Sequence, residues 1–185
     1  MPGSRQSEIA QLAPVFLQAA KLLQQQHPKL RVLLPVAPGL MAAVQAHLQY
    51  SGLKHIRLLD GQSHAALGAA DLVLVASGTA TLEAALFKRP MVIAYKMPWL
   101  SWQITNRKRL QAWVGLPNIL CQDFVVPELL QDAATPQAMA NALQHWLDHP
   151  EQVNHLQQAF QDLHQSLKQD MSSLARHALQ KIIAA

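Results

Sequence analysis

The 185-residue sequence is poor in cysteine, aromatic side chains and charge. Its single cysteine, Cys121, excludes an internal disulfide framework and fits a reducing cytosol, with a buried inert thiol the stronger reading over a nucleophile. Only 14% of residues are charged and 5% aromatic, against 50% hydrophobic, so the composition is globular rather than disordered. No stretch approaches the ~18 apolar residues of a membrane-spanning helix. The N-terminus lacks the basic and apolar regions of a signal peptide. These absences set the expectation of a cytoplasmic chain, soluble or peripheral on a membrane. Neither Gly-x-Gly-x-x-Gly nor Gly-Lys-Ser/Thr occurs, which speaks against a dinucleotide cofactor and against an ATPase. His145 and His149 are four apart, but there is no His-Glu-x-x-His and no third ligand, so solvated histidines are expected and no metal. Fifteen Lys and Arg against eleven Asp and Glu leave +4, a mild excess that suits an anionic ligand or an acidic membrane surface without demanding nucleic acid.

Apolar periodicity supplies the layout. Ser4 caps a helix whose buried face is Ile9, Leu12, Phe16, Ala19 and Leu23, with Pro14 expected to kink or split it. Short apolar runs at 30–36, 56–59, 71–76 and 91–95 read as strands, with a fifth near Asn118–Leu120. Helical segments at 39–50, 62–70 and 79–88 separate them. Near-continuous apolar strands alternating with helices indicate an α/β fold, a Rossmann-like parallel sheet covered on both faces. After Pro136 the pattern changes to three helices at 136–148, 151–168 and 172–185. The expected division is residues 1–135 as an α/β domain lacking its first strand, and residues 136–185 as a helical tail packed on it. Pro2-Gly3-Ser4-Arg5 resembles a strand-to-helix loop with no strand before it. We expect a fragment of a longer protein, or a sheet completed by another chain, with a marginal or self-associating fold.

Chemistry concentrates at three places. Ser77-Gly78-Thr79-Ala80-Thr81 leaves the carboxyl end of a strand and opens a helix, the edge where open α/β sheets bind ligands. Free N–H groups and the positive helix end favour a phosphate, Gly78 permits close approach, and Thr79 and Thr81 add hydroxyls. Glu83, one turn in, is placed to accept hydrogen bonds from a ribose diol. The alternative is a capped helix with an acid placed for dipole reasons, although Ala80 stands where a capping box from Ser77 would put an acid. Gly3-Ser4-Arg5 offers a glycine turn, a hydroxyl and a guanidinium fork for a diphosphate, although on its own a capped helix with an exposed arginine is the stronger reading. The stretch from Lys96 to Trp113 holds Trp99, Trp102, Arg107, Lys108 and Arg109, a mixture suited to a lipid headgroup zone or to a helix packing its tryptophans inward. Nucleic acid is the weaker reading, since no RNA-binding motif accompanies it.

Taken in order, several segments resemble the lipid-A-disaccharide synthase family, glycosyltransferases of the two-domain GT-B type. They are Pro2-Gly3-Ser4-Arg5 with Glu8-Ile9, Leu33-Leu34-Pro35-Val36, Ala76-Ser77-Gly78-Thr79-Ala80-Thr81-Leu82-Glu83, Pro90-Met91-Val92-Ile93-Ala94-Tyr95-Lys96-Met97 and Leu116-Pro117-Asn118-Ile119-Leu120. The resemblance covers the whole chain but only the C-terminal half of the family's length. It implies metal-independent, inverting transfer of a diacylglucosamine from its UDP carrier to diacylglucosamine 1-phosphate, with no cofactor, at the inner face of the cytoplasmic membrane. It further implies a UDP diphosphate held by Ser4, Arg5, Ser77, Gly78, Thr79 and Thr81, a ribose held by Glu83, and a donor oriented by Asn118. The catalytic base is expected in the half that is missing, so the chain alone should not turn over. Homo-oligomerisation is compatible with these features. Rival readings are another UDP-sugar GT-B enzyme, or a non-catalytic nucleotide-binding or membrane-docking module.

Overall fold

The computed structural model describes residues 1–97 and 112–168, together with Trp102, Arg176 and Gln180. Helix α1 spans Gln6–Gln26 without a break, and Pro14 does not split it. Proline in a helix interior costs about 3 kcal/mol, but burial of Leu12, Phe16, Leu17 and their neighbours at about 1.5–3 kcal/mol per large side chain outweighs that. The helix starts one residue later than expected: Arg5, not Ser4, occupies the N-cap. The cause is Glu8, whose carboxylate folds back to accept the backbone N–H groups of Ser4 at 2.8 Å and Arg5 at 3.3 Å.

Strand β1 (Val32–Val36), helix α2 (Met41–Leu48), β2 (Ile56–Asp60), α3 (Ser63–Ala69), β3 (Val73–Ala76), α4 (Thr79–Leu86) and β4 (Met91–Tyr95) follow in strict alternation. The Leu116–Cys121 segment is a helix, α5, rather than the expected fifth strand. Pro117 sits in its first turn, where a missing N–H loses nothing. The fifth strand is instead β5 (Glu128–Leu130), after which a 3₁₀ turn at Gln131–Ala133 leads to α6 (Pro136–Asp148) and α7 (Pro150–Leu167). Thr135 caps α6, its hydroxyl accepting from the Ala138 N–H at 3.1 Å. The third helix expected at 172–185 lies outside the described residues, apart from Arg176 and Gln180, which are helical.

All strand pairs are parallel, but the strands form two sheets: β1 with β2, and β3–β4–β5. Helix α1 holds the two together. Its Ile9, Ala13 and Leu17 pack with Leu34, Val36 and Val44, while Leu12, Phe16 and Ala19 pack with Ala76, Ala94 and Met139 of the larger sheet and α6. A third cluster joins Val73, Val75, Met91 and Ile93 to Leu67 of α3 and to Trp146 and Phe160 of the C-terminal helices. Trp146, only 7% exposed, also donates its indole N–H to the Met91 carbonyl at 3.0 Å. The C-terminal helices α6 and α7 therefore contribute side chains to the core of the larger sheet.

Candidate functional site

Met1 fixes the geometry of the site. Its amine donates to the Leu74 carbonyl at 2.7 Å, and its own carbonyl accepts from the Ala76 N–H at 2.9 Å. This is the hydrogen-bond pattern of one more parallel strand position beside β3. Residues 2–5 and residues 77–79 therefore leave the carboxyl edge of the sheet in adjacent strand positions, which are about 4.8 Å apart. Both loops then enter helices, α1 and α4, whose first-turn N–H groups lack intrahelical carbonyl partners. The tips of the two helices thus rise from neighbouring positions on one edge.

At the first tip, Gly3 has φ +119°, and a Cβ there would come within 2.5 Å of Glu8 Oε2. Only glycine permits both the backbone conformation and the fold-back of Glu8. Ser4 and Arg5 are exposed. The Arg5 guanidinium, 76% exposed, pairs with Glu8 Oε1 at 3.0 Å. An anion at this tip would thus meet a carboxylate already on two of the N–H groups, with the arginine swung onto that carboxylate. Glu8 was not singled out as a functional candidate, although an acid three residues beyond the cap is the spacing of a capping box.

At the second tip, Gly78 takes φ +147° as the N-cap of α4, with open space where a Cβ would stand. Gly78 and Thr79 are exposed. The Ser77 hydroxyl donates to the Val114 carbonyl at 3.2 Å. Thr81, expected in the diphosphate set, is fully buried, and its hydroxyl donates to the Gly78 carbonyl at 2.7 Å. It shapes the turn from beneath, as the third residue of α4 on the side that faces the core. Glu83 is partly exposed, and its Oε2 lies 3.5 Å from His64 Nε2, an ion pair when the imidazole is protonated. His64, on α3, is a neighbour that sequence spacing could not reveal.

Asn118, expected to orient the donor, is bonded within the protein. It is fully buried, and its amide is engaged at both ends. The oxygen accepts from the Val126 N–H at 2.9 Å, and the nitrogen donates to the Val126 carbonyl at 2.9 Å and to Glu128 Oε1 at 2.8 Å. Glu128 also accepts from the N–H groups of Val114 and Gly115, each at 2.9 Å. Asn118 and Glu128 thus clamp α5 and the chain before it to β5. Through Val114, which takes the Ser77 hydroxyl, the clamp supports the floor of the second tip. In this arrangement Asn118 positions the loop.

Cys121 is half-buried, and burial, then the nearby Asp123, raises its thiol above the ordinary value of 9.0. That suits an inert thiol. His145 and His149 lie ring against ring with centroids 4.1 Å apart, His145 bonded to Gln152 and His149 to the His145 carbonyl. Among the described residues no group of three metal-ligating side chains exists, and no helix is long and apolar enough to cross a membrane. Trp102 is half-buried and helical, whereas Trp99, Arg107, Lys108 and Arg109 lie outside the described residues.

Comparison of the sequence with known proteins finds relatives along its whole length. The family model described as lipid-A-disaccharide synthetase matches residues 1–183. A lipid-A-disaccharide synthase from Albidiferax ferrireducens is 57% identical over 99% of this chain and 48% of its own length. One from Verminephrobacter eiseniae is 53% identical over 100% of this chain and 49% of its own, and one from Aromatoleum aromaticum is 48% identical over 97% and 46%. The chain spans about half the length of the curated relatives it matches. The family match over residues 1–183 and these identities make the chain a member of the lipid-A-disaccharide synthase family, and its parallel α/β architecture is consistent with that.

Proposed function

We propose that this chain is the UDP-donor-binding portion of a lipid-A-disaccharide synthase, acting at the inner face of the cytoplasmic membrane. The reaction joins a 2,3-diacylglucosamine, delivered on UDP, to the 6-hydroxyl of 2,3-diacylglucosamine 1-phosphate with inversion. The bond between the sugar's C1 and the diphosphate oxygen breaks as the new C1–O bond forms on the opposite face. The acceptor's proton passes to a base outside this chain, and UDP leaves with the electron pair of the broken bond. Negative charge therefore grows on the diphosphate in the transition state. Preorganised donors aimed at such charge contribute a few kcal/mol each.

The observation that carries this reading is the pairing of Met1 with β3, which sets the Gly3–Arg5 and Ser77–Thr79 loops side by side. The N–H groups of the α4 tip and the Thr79 hydroxyl receive the diphosphate from one side. Arg5 turns from Glu8 to the other side as a bidentate fork, exchanging an exposed ion pair of small value for a charge-assisted contact. Ser77, Thr81 and Asn118 hold the turn in shape, and Glu83, released from His64, accepts the ribose hydroxyls. The tryptophan-rich basic stretch that includes Trp102 meets the lipid surface.

Titration calorimetry with UDP tests the proposal. The chain should bind UDP, and Arg5→Ala and Glu83→Ala should each weaken binding by about tenfold or more while the thermal unfolding curve stays cooperative. A cooperatively folded chain that takes up no UDP overturns the reading.

A further inference from the structure

Two ion pairs occur among the described residues, and each engages one of the two charged side chains assigned to the nucleotide. Arg5 is held by Glu8, and Glu83 by His64. At the first tip Glu8 stands in for an anionic ligand. Its Oε2 accepts from the Ser4 and Arg5 N–H groups at 2.8 and 3.3 Å, and its Oε1 accepts from Arg5 Nη1 at 3.0 Å. These are the backbone donors and the guanidinium that a diphosphate oxygen would use. The Glu8 side chain is 14% exposed against 76% for Arg5, so the carboxylate is the settled partner and the arginine the one with room to turn.

At the second tip a cation replaces the hydroxyl donors. Thr79, Glu83 and Phe87 follow one another at steps of four along α4 and its cap, so they share one face. His64 stands against that face, its ring centroid 5.7 Å from that of Phe87 and its Nε2 3.5 Å from Glu83 Oε2. Arg89 anchors α3 from the other end, donating to the Leu67 and Gly68 carbonyls at 3.0 and 2.8 Å. The backbone of His64 is thereby placed, while its side chain, 71% exposed, has solvent to turn into. Glu83 is the one charged group paired with this imidazole among the described residues. The rest of α3 and β1, on which α3 packs, carry no titratable side chain. The two cations that follow α4 are engaged elsewhere, Lys88 with His164 and the Leu86 carbonyl, and Arg89 with α3.

We propose that Glu8 and His64 are internal competitors that set the affinity of the site for UDP and keep it weak enough for the product to leave. The inference rests on the assignment of Arg5 to the diphosphate and of Glu83 to the ribose. UDP opens both pairs as it binds, so its apparent dissociation constant is the intrinsic one divided by the fraction of chains in which both are open. Imidazole changes charge between pH 5 and 8, so the second pair closes as pH falls and UDP binding weakens with it. A purely structural role has the opposite consequence. Removing a helix cap or a surface ion pair then loosens the site, and UDP binding falls or stays the same.

Titration calorimetry of the full chain with UDP at pH 8 and pH 6 tests this. Glu8→Gln keeps an acceptor for the two N–H groups and removes the charge, and it should tighten UDP binding by about five- to tenfold at both pH values. His64→Gln should leave binding nearly unchanged at pH 8 and tighten it by about two- to threefold at pH 6, the scale of an exposed ion pair. In a Glu83→Gln chain the His64→Gln change should have no effect at either pH. Protonation of UDP itself is common to all forms and cancels in the ratios. The proposal is overturned if Glu8→Gln or His64→Gln binds UDP no more tightly than the unaltered chain at pH 6, or if the His64 effect persists without the Glu83 carboxylate. It falls alone when Arg5→Ala and Glu83→Ala still weaken binding. UDP binding that is absent from every form, or indifferent to those two substitutions, overturns the donor-site reading along with it.

Discussion

Burial of the Met1 amine makes the stability of this chain depend on pH in a calculable way. Removal from water lowers the amine from its ordinary value of 8.0 to about 5 in the folded state. Neither ion pair found among the described residues involves it, so no carboxylate offsets the desolvation. Above pH 8 the amine is neutral whether the chain is folded or unfolded, and no penalty exists. Between pH 8 and about 5 the unfolded chain takes up a proton that the folded chain refuses, so stability falls as pH falls. Below about 5 both states are charged and the penalty is complete. A shift of about three units at 1.36 kcal/mol each makes it about 4 kcal/mol, with about half present at pH 6.5. The neutral amine still donates to Leu74, so the structure at pH 8 is unchanged. Urea unfolding at pH 5, 6.5 and 8, compared with the same chain acetylated at Met1, isolates the effect because every other titration is common to both. The unmodified chain should gain about 3 kcal/mol more than the acetylated one from pH 5 to pH 8, since the amine is half-titrated in one state at each end of that range. Parallel stability curves for the two forms would refute the burial of that amine, and with it the pairing of Met1 to β3.

Three further outcomes follow from named contacts. Asn118→Ala should destabilise the chain by about 3 kcal/mol in urea melts, because it strands the buried Val126 groups and a Glu128 oxygen at about 1–3 kcal/mol apiece with partial relaxation. Gly3→Ala should cost about 1–3 kcal/mol, since φ +119° is strained for alanine and its Cβ meets Glu8. Loss of the Glu8 fold-back would show as faster exchange of the Ser4 and Arg5 amides. Cys121 should react with a thiol reagent more slowly than a free cysteine at pH 8, because its raised thiol leaves less thiolate, and unfolding in urea should abolish the difference.

Much of this arrangement was readable from local pattern, and the exceptions share a cause. Strand β4 and the starts of α4 and α6 lie where period and caps put them, because apolar runs and Thr/Pro signals act over a few residues. The Leu116–Cys121 run misled because six apolar-rich residues fit a strand and a helix equally, and only the clamp from Glu128 across the chain decides it. Pro14 is tolerated in α1 because that helix is buried on two sides, a tertiary fact its own residues do not disclose. At the candidate site the glycine turns at Gly3 and Gly78 were visible as small-residue loops. The contacts that redefine Thr81, Asn118 and Arg5, and that add Glu8 and His64, depend on which neighbours folding brings to them. The loop at Pro2–Arg5 follows Met1, which pairs with β3.

The most direct measurement of the functional claim is the response of backbone amide resonances to added UDP. Binding at the paired helix tips predicts that Gly3, Ser4 and Arg5 shift along the same saturation curve as Gly78, Thr79 and Ala80, with Asn118 and Val126 unmoved in their clamp. Shifts confined to one tip, or centred elsewhere on the molecule, would contradict it.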